Sequence, residues 1–124
     1  MKTDNNKPEK DNQRTYSREK LLDTWEVYLL IPSEGSRKIA VKDVTASGLA
    51  FYAIPGRGYN TGDTLDVYFH ISNTVRLPLH VRVVHSYDDP QGNRIGCEII
   101  DMDTAFYRAY ESFIIFLHAL DDIY

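Results

Sequence analysis

The chain of 124 residues is 43% hydrophobic and 26% charged, the balance of a folded globular domain rather than a disordered one. Its net charge of −4 is uneven: residues 1–20 hold six basic and four acidic side chains, the remainder eight and fourteen. That acidic body argues against a platform for a long nucleic acid, and no apolar run of about 18 residues offers a membrane span.

The N-terminus, MKTDNNKPEKDNQR, has no apolar segment and does not read as a signal peptide. A lone Cys97 cannot form an intramolecular disulfide and suits a reducing compartment, so the expected location is cytoplasmic. Residues 1–13 read as a flexible polar tail, and 14–124 as one domain.

From Trp25 the apolar residues alternate at period two. Trp25, Val27, Leu29 and Ile31 predict a first strand, closed by the Pro32–Gly35 turn. Arg37 to Val44 predicts a second, with Ile39 and Val41 on one face, and Ser47 to Ile54 a third. After a loop rich in turn formers, Leu65, Val67, Phe69 and Ile71 mark a fourth. Leu77, Leu79, Val81 and Val83 mark a fifth, in which strict alternation puts His80 and His85 on opposite faces. Beyond the connection Asp88–Gly92 lies a last strand, Asn93 to Ile100, whose Gly96 suggests a bend or a close backbone approach.

The period then changes. Phe106, Tyr110, Phe113, Leu117 and Leu120 recur at helical steps, with Asp103 the expected N-cap and fraying expected near Asp121 and Asp122. Ile114 to Leu117 is an apolar run too wide for one helix face, so part of it should be exposed. Six short strands and a helix predict a mainly β fold, an antiparallel barrel with a C-terminal helix and a flexible N-terminal arm.

Enzyme signatures are absent. The four histidines lack the spacing and partners of a zinc site, Cys97 lies in an apolar strand, and no nucleophile elbow or phosphate-cradling loop occurs. No catalytic residue, metal or cofactor is expected.

Two other patterns carry chemistry. Arg14 and Arg18 stand as R-T-Y-S-R in the arm, two guanidiniums suited to something anionic and planar. Asp43, Thr45 and Gly48 stand as D-V-T-A-S-G at the junction of strands two and three, able to form a polar floor. With eight arginines, an R-x-x-x-R spacing arises by chance about half of one time, so each pattern alone says little. Their order and setting say more, since an arm leading into strand one can lie across that junction.

These residues resemble the PilZ domain family, bacterial receptors for cyclic di-GMP, over roughly Arg14 to Leu120. Arg14 and Arg18 resemble its R-x-x-x-R motif, and Asp43, Thr45 and Gly48 its [DN]-x-[SA]-x-x-G motif. Gly62-Asp-Thr-Leu65 is similar to the usual strand opening, and Arg94-Ile-Gly-Cys-Glu-Ile99 to the last strand.

The resemblance implies a six-stranded split barrel with a C-terminal helix, and a non-catalytic receptor in which Arg14 and Arg18 close over the dinucleotide against Asp43, Thr45 and Gly48. A guanidinium fork matches both a phosphate and the O6/N7 edge of guanine, while Asp43 suits the N1–H and N2–H donors of guanine. Thr45 stands where the family has Ser or Ala, and Gln13 where some members have a third arginine, which by analogy favours one bound molecule over a stacked pair. The implied partners are cyclic di-GMP and a downstream protein, with the chain a monomer or homodimer. Family members without the motifs act as adaptors, in pilus or motility assembly for instance, and that is the alternative function. A third reading, single-stranded nucleic acid bound through Tyr52, Tyr59, Tyr68 and Arg57, has the acidic body against it.

Overall fold

The computed structural model describes residues 19–123. Six strands follow in chain order: β1 (Val27–Leu30), β2 (Ile39–Thr45), β3 (Gly48–Tyr52), β4 (Thr64–Ile71), β5 (Val75–Asp89) and β6 (Gly92–Ile100). All neighbours are antiparallel, and the sheet closes in the order β1-β2-β3-β6-β5-β4, with β1 pairing β4. The predicted barrel is therefore present, and closure leaves it no open sheet edge.

Alternation fills the barrel. Leu29, Val41, Leu49, Phe51, Val67, Phe69, Val81, Val83, Ile95 and Ile99 are buried and form one cluster, joined by Tyr110, Ile114 and Leu117 of the C-terminal helix (Ala105–Ile123). Phe69 meets the Tyr110 ring edge-on, with centroids 4.9 Å apart, an orientation that suits the aromatic quadrupoles.

Several expectations change. Trp25 belongs to a turn rather than β1, following a helical stretch over residues 19–24 that the sequence did not announce. Glu26 takes a φ of 53° at this junction, and Ser72 donates its N–H to the Trp25 and Glu26 carbonyls at 3.0 and 3.2 Å. β5 is far longer than its apolar core, continuing to Asp89 through an exposed, mostly polar stretch. The helix is capped by Thr104, whose Oγ1 accepts the Tyr107 N–H at 3.0 Å, and not by Asp103. It runs through Asp121, which is buried, to Ile123, in place of the expected fraying.

The helix is also rotated relative to the predicted stripe: Tyr107, Tyr110, Ile114, Leu117 and Asp121 face inward, while Phe106 is exposed. Of the wide apolar run, Ile114 and Leu117 are buried and Ile115 and Phe116 exposed. No helix among the described residues is long and apolar enough to cross a membrane.

Candidate functional site

Local irregularity decides which way the candidate residues face. Val41 points into the core, and strict alternation would send Asp43 after it. A bulge at Lys42 intervenes, so that Val41 pairs with Phe51 but Asp43 with Ala50. Asp43 is thereby turned outward and Val44 inward, where it is 2% exposed.

The two-residue turn Ala46–Ser47 then joins Thr45 to Gly48. Asp43 Oδ1 accepts the Val44 N–H at 2.9 Å, and Thr45 Oγ1 accepts the Gly48 N–H at 3.1 Å. The Ser47 hydroxyl lies 3.4 Å from the same Thr45 oxygen, a third polar group on the rim. Gly48 is demanded by packing: a Cβ there would stand 2.4 Å from the Cys97 carbonyl oxygen of β6. Only glycine lets the two strands approach so closely.

The C-terminal helix holds this turn from behind. Tyr107 donates its hydroxyl to the Ala46 carbonyl at 2.7 Å, and the Tyr110 hydroxyl lies 2.8 Å from the Thr45 and 3.0 Å from the Gly48 carbonyl oxygen. Burial pushes both phenols above their ordinary pKa, keeping them as donors. His118 Nε2 lies 3.3 Å from the Val44 carbonyl, a contact that places the proton on that nitrogen. Carbonyls of four of the five residues 44–48 are thus held by one helix.

In front, three cross-strand rows run over β2, β3, β6 and β5. The first is Thr45, Gly48, Glu98 and Arg82, the second Asp43, Ala50, Gly96 and His85, the third Tyr52, Arg94 and Tyr87. The middle row is floored by the small residues Ala50 and Gly96 between longer neighbours. The result is a groove of about 380 Å³, lined by Asp43, Thr45, Gly48, His85, Arg94 and Glu98 among others.

A second bulge, between Val83 and His85, shifts the β5 register, so His80 and His85 share the outer face and do not oppose each other as alternation predicted. Arg82 Nη1 donates to Glu98 Oε1 at 2.7 Å on one bank. On the other, the Arg94 guanidinium and Lys42 ammonium sit 5.9 and 6.0 Å from the Tyr52 ring centroid. Tyr52 donates to Asp89 Oδ2 at 2.6 Å, and this bond holds the carboxyl below its ordinary range and the phenol above its own. Cys97 faces the core, where burial pushes its thiol up to about 12, so it remains a neutral thiol.

The structure therefore brings Asp43, Thr45 and Gly48 together at one end of the groove. Arg14 and Arg18, with the tail 1–13, lie outside the described residues. The first described residues nonetheless begin close by: Glu19, Lys20 and Leu22 share a concavity with Ala40 and Lys42, beside Asp43. Tyr107, Tyr110, His85 and Arg94 were not among the site residues expected from the sequence, because each joins the site through a long-range contact. Among the described residues no group of three or more His, Cys, Asp or Glu side chains could hold a metal ion.

Two other surfaces fail as alternatives. Tyr59 is buried against Phe51, Arg57 pairs with Glu34 at 3.2 Å, and Tyr52 on β3 and Tyr68 on β4 lie on separate faces, so these four side chains form no continuous aromatic track for a single strand. A larger concavity of about 590 Å³ is lined by Asp66, Tyr68, His80, Asp101 and Phe106. Its two carboxylates flank His80 at 4.0 and 3.1 Å and oppose an anionic ligand.

The closed six-stranded barrel, its C-terminal helix and the acid–hydroxyl–glycine turn define a class. The chain belongs to the PilZ domain family: a sequence model of that domain matches residues 12–116, a span that takes in both the arginine pair and the turn. A similar solved structure is that of the Bacillus subtilis inhibitor of motility (MotI/DgrA), with a TM-score of 0.57 and 16% identity, covering 72% of this chain and 44% of that one. At that identity the likeness is of fold, and this chain spans less than half of that protein's length. No curated protein sequence matches.

Proposed function

We propose that this PilZ domain is a non-catalytic receptor for cyclic di-GMP, bound in the groove over β2, β3, β6 and β5. The observation that carries the reading is the bulge at Lys42, which turns Asp43 out beside Thr45 at the end of a concave face. Asp43 accepts from the N1–H and N2–H donors of a guanine, which adenine does not offer. Thr45 and Ser47 supply hydroxyls to the ligand's polar rim. Arg14 and Arg18 close over the dinucleotide, pairing with phosphate oxygens or guanine O6/N7 in bidentate fashion. That the described chain begins beside Lys42 favours such a closure. The bound ligand and the arm together make the surface that a downstream protein reads.

Isothermal calorimetry with cyclic di-GMP at tens of micromolar protein tests this directly. Wild-type protein gives a saturable heat, and Arg14→Ala or Arg18→Ala each weakens affinity by about 10- to 150-fold, the range of a lost charge-assisted hydrogen bond. Absence of any heat from the wild type rejects the receptor in favour of a ligand-independent adaptor.

A further inference from the structure

Resting on the receptor reading above, we propose that His85 is a stacking platform for a guanine base, and that Gly96 exists to let its imidazole lie flat on the sheet. A Cβ built on Gly96 would stand 2.1 Å from His85 Cε1, 2.5 Å from Nε2 and 2.7 Å from Nδ1. An atom in the ring plane beyond Cε1 would be distinctly farther from both nitrogens. These three short distances put the Cβ position over the face of the ring, so the imidazole is laid face-down on the Gly96 backbone. His85 is nonetheless an exposed residue and lines the groove.

This arrangement is built by the fold. Ile95 and Cys97 are buried, so Gly96 faces outward between them. The bulge between Val83 and His85 brings His85 opposite Gly96. The Tyr87 ring lies 5.9 Å from the imidazole at 36°, and Arg94, paired with Tyr87, stands on the same bank. Gly96 pairs with Ala50 and Ala50 with Asp43, two interstrand steps, or about 10 Å. A purine stacked on the imidazole turns one edge along the groove toward Asp43 and the other toward Arg94. Those are the acceptor and the donor that guanine's two edges call for. Histidine serves as such a stacking surface in nucleotide recognition generally, and its planar ring asks nothing of base sequence.

The test is calorimetry with cyclic di-GMP on the full chain and three variants, with urea unfolding as a control for folding. His85→Ala weakens affinity by about 5- to 150-fold, the range of a lost base–aromatic stack. His85→Phe, which keeps a flat ring, stays within about 3-fold of the wild type, well inside that range. Gly96→Ala lifts the ring and weakens binding as His85→Ala does. Wild-type affinity in His85→Ala, or a His85→Phe as weak as His85→Ala, overturns the platform while leaving the receptor reading intact. No heat from the wild type defeats both. Should Gly96→Ala fail to fold, the two His85 variants decide the matter.

Discussion

Two outer faces of this barrel carry similar side chains and differ in shape. Over β1 and β4, Tyr28 and His70 pair across the strands and stack with centroids 4.6 Å apart at 10°. Lys38 sits 4.7 Å from the Tyr28 ring and Arg76 4.6 Å from the Tyr68 ring. The β4–β5 register there runs unbroken from Thr64–Arg82 to Ile71–Val75. Aromatic rings and cations on that face stack on one another and leave a ladder. Over β2, β3, β6 and β5 the same chemistry, Tyr52, Tyr87, Arg94 and His85, meets two bulges and a floor of alanine and glycine. The second face is a groove. Composition supplies the chemistry of both; irregular backbone and missing side chains open the second into a groove.

The contrast can be broken most forcibly at Gly48. Gly48→Ala drives a methyl against the backbone carbonyl of Cys97, which cannot rotate away. We expect a loss of about 1–3 kcal/mol in urea unfolding, with loss of cyclic di-GMP binding, because β3 must move from β6. Next, Tyr110→Phe removes the hydroxyl that the Thr45 and Gly48 carbonyls share. It should cost about 1 kcal/mol in the same assay, and weaken binding by loosening the turn without touching the groove.

A smaller effect separates the faces by pH. Burial first, then Arg76 and Lys38, hold His70 below its ordinary value of 6.5. The unfolded chain therefore takes up this proton before the folded one does. The stabilisation is complete above the unfolded value and declines as pH falls below about 6.5 toward the lower folded value. Unfolding midpoints of wild type and His70→Gln should converge as pH drops through that window; a constant gap between them would contradict the assignment. Smallest of all is Arg76→Ala, an exposed cation on the ladder face. It should shift stability by less than about 0.5 kcal/mol and leave cyclic di-GMP affinity unchanged.

Much of this was legible in the residues. Period-two alternation in Leu77–Val83 and Leu65–Ile71 reports burial of one face, which is why the inward sets match the core closely. The helix was legible as a helix, but not its rotation. Phe106 is the more apolar residue, yet Tyr107 and Tyr110 are drawn inward because their hydroxyls find the carbonyls of the β2–β3 turn, 60 or more residues earlier. Thr104 displaced Asp103 as the cap within the one-residue latitude that any pattern of polar residues leaves.

By itself the sequence determined a barrel followed by a helix, the acid–hydroxyl–glycine turn between the second and third strands, and the family to which these belong, because alternation, helical spacing and short motifs are local properties. Tertiary structure alone decided that β3 lies against β6, and that Asp43 and His85 both face out. It also laid an imidazole over Gly96. The physical reason is register. A single inserted residue reverses every side chain beyond it, leaves no reliable mark in residue type, and is fixed only by the strand it pairs with.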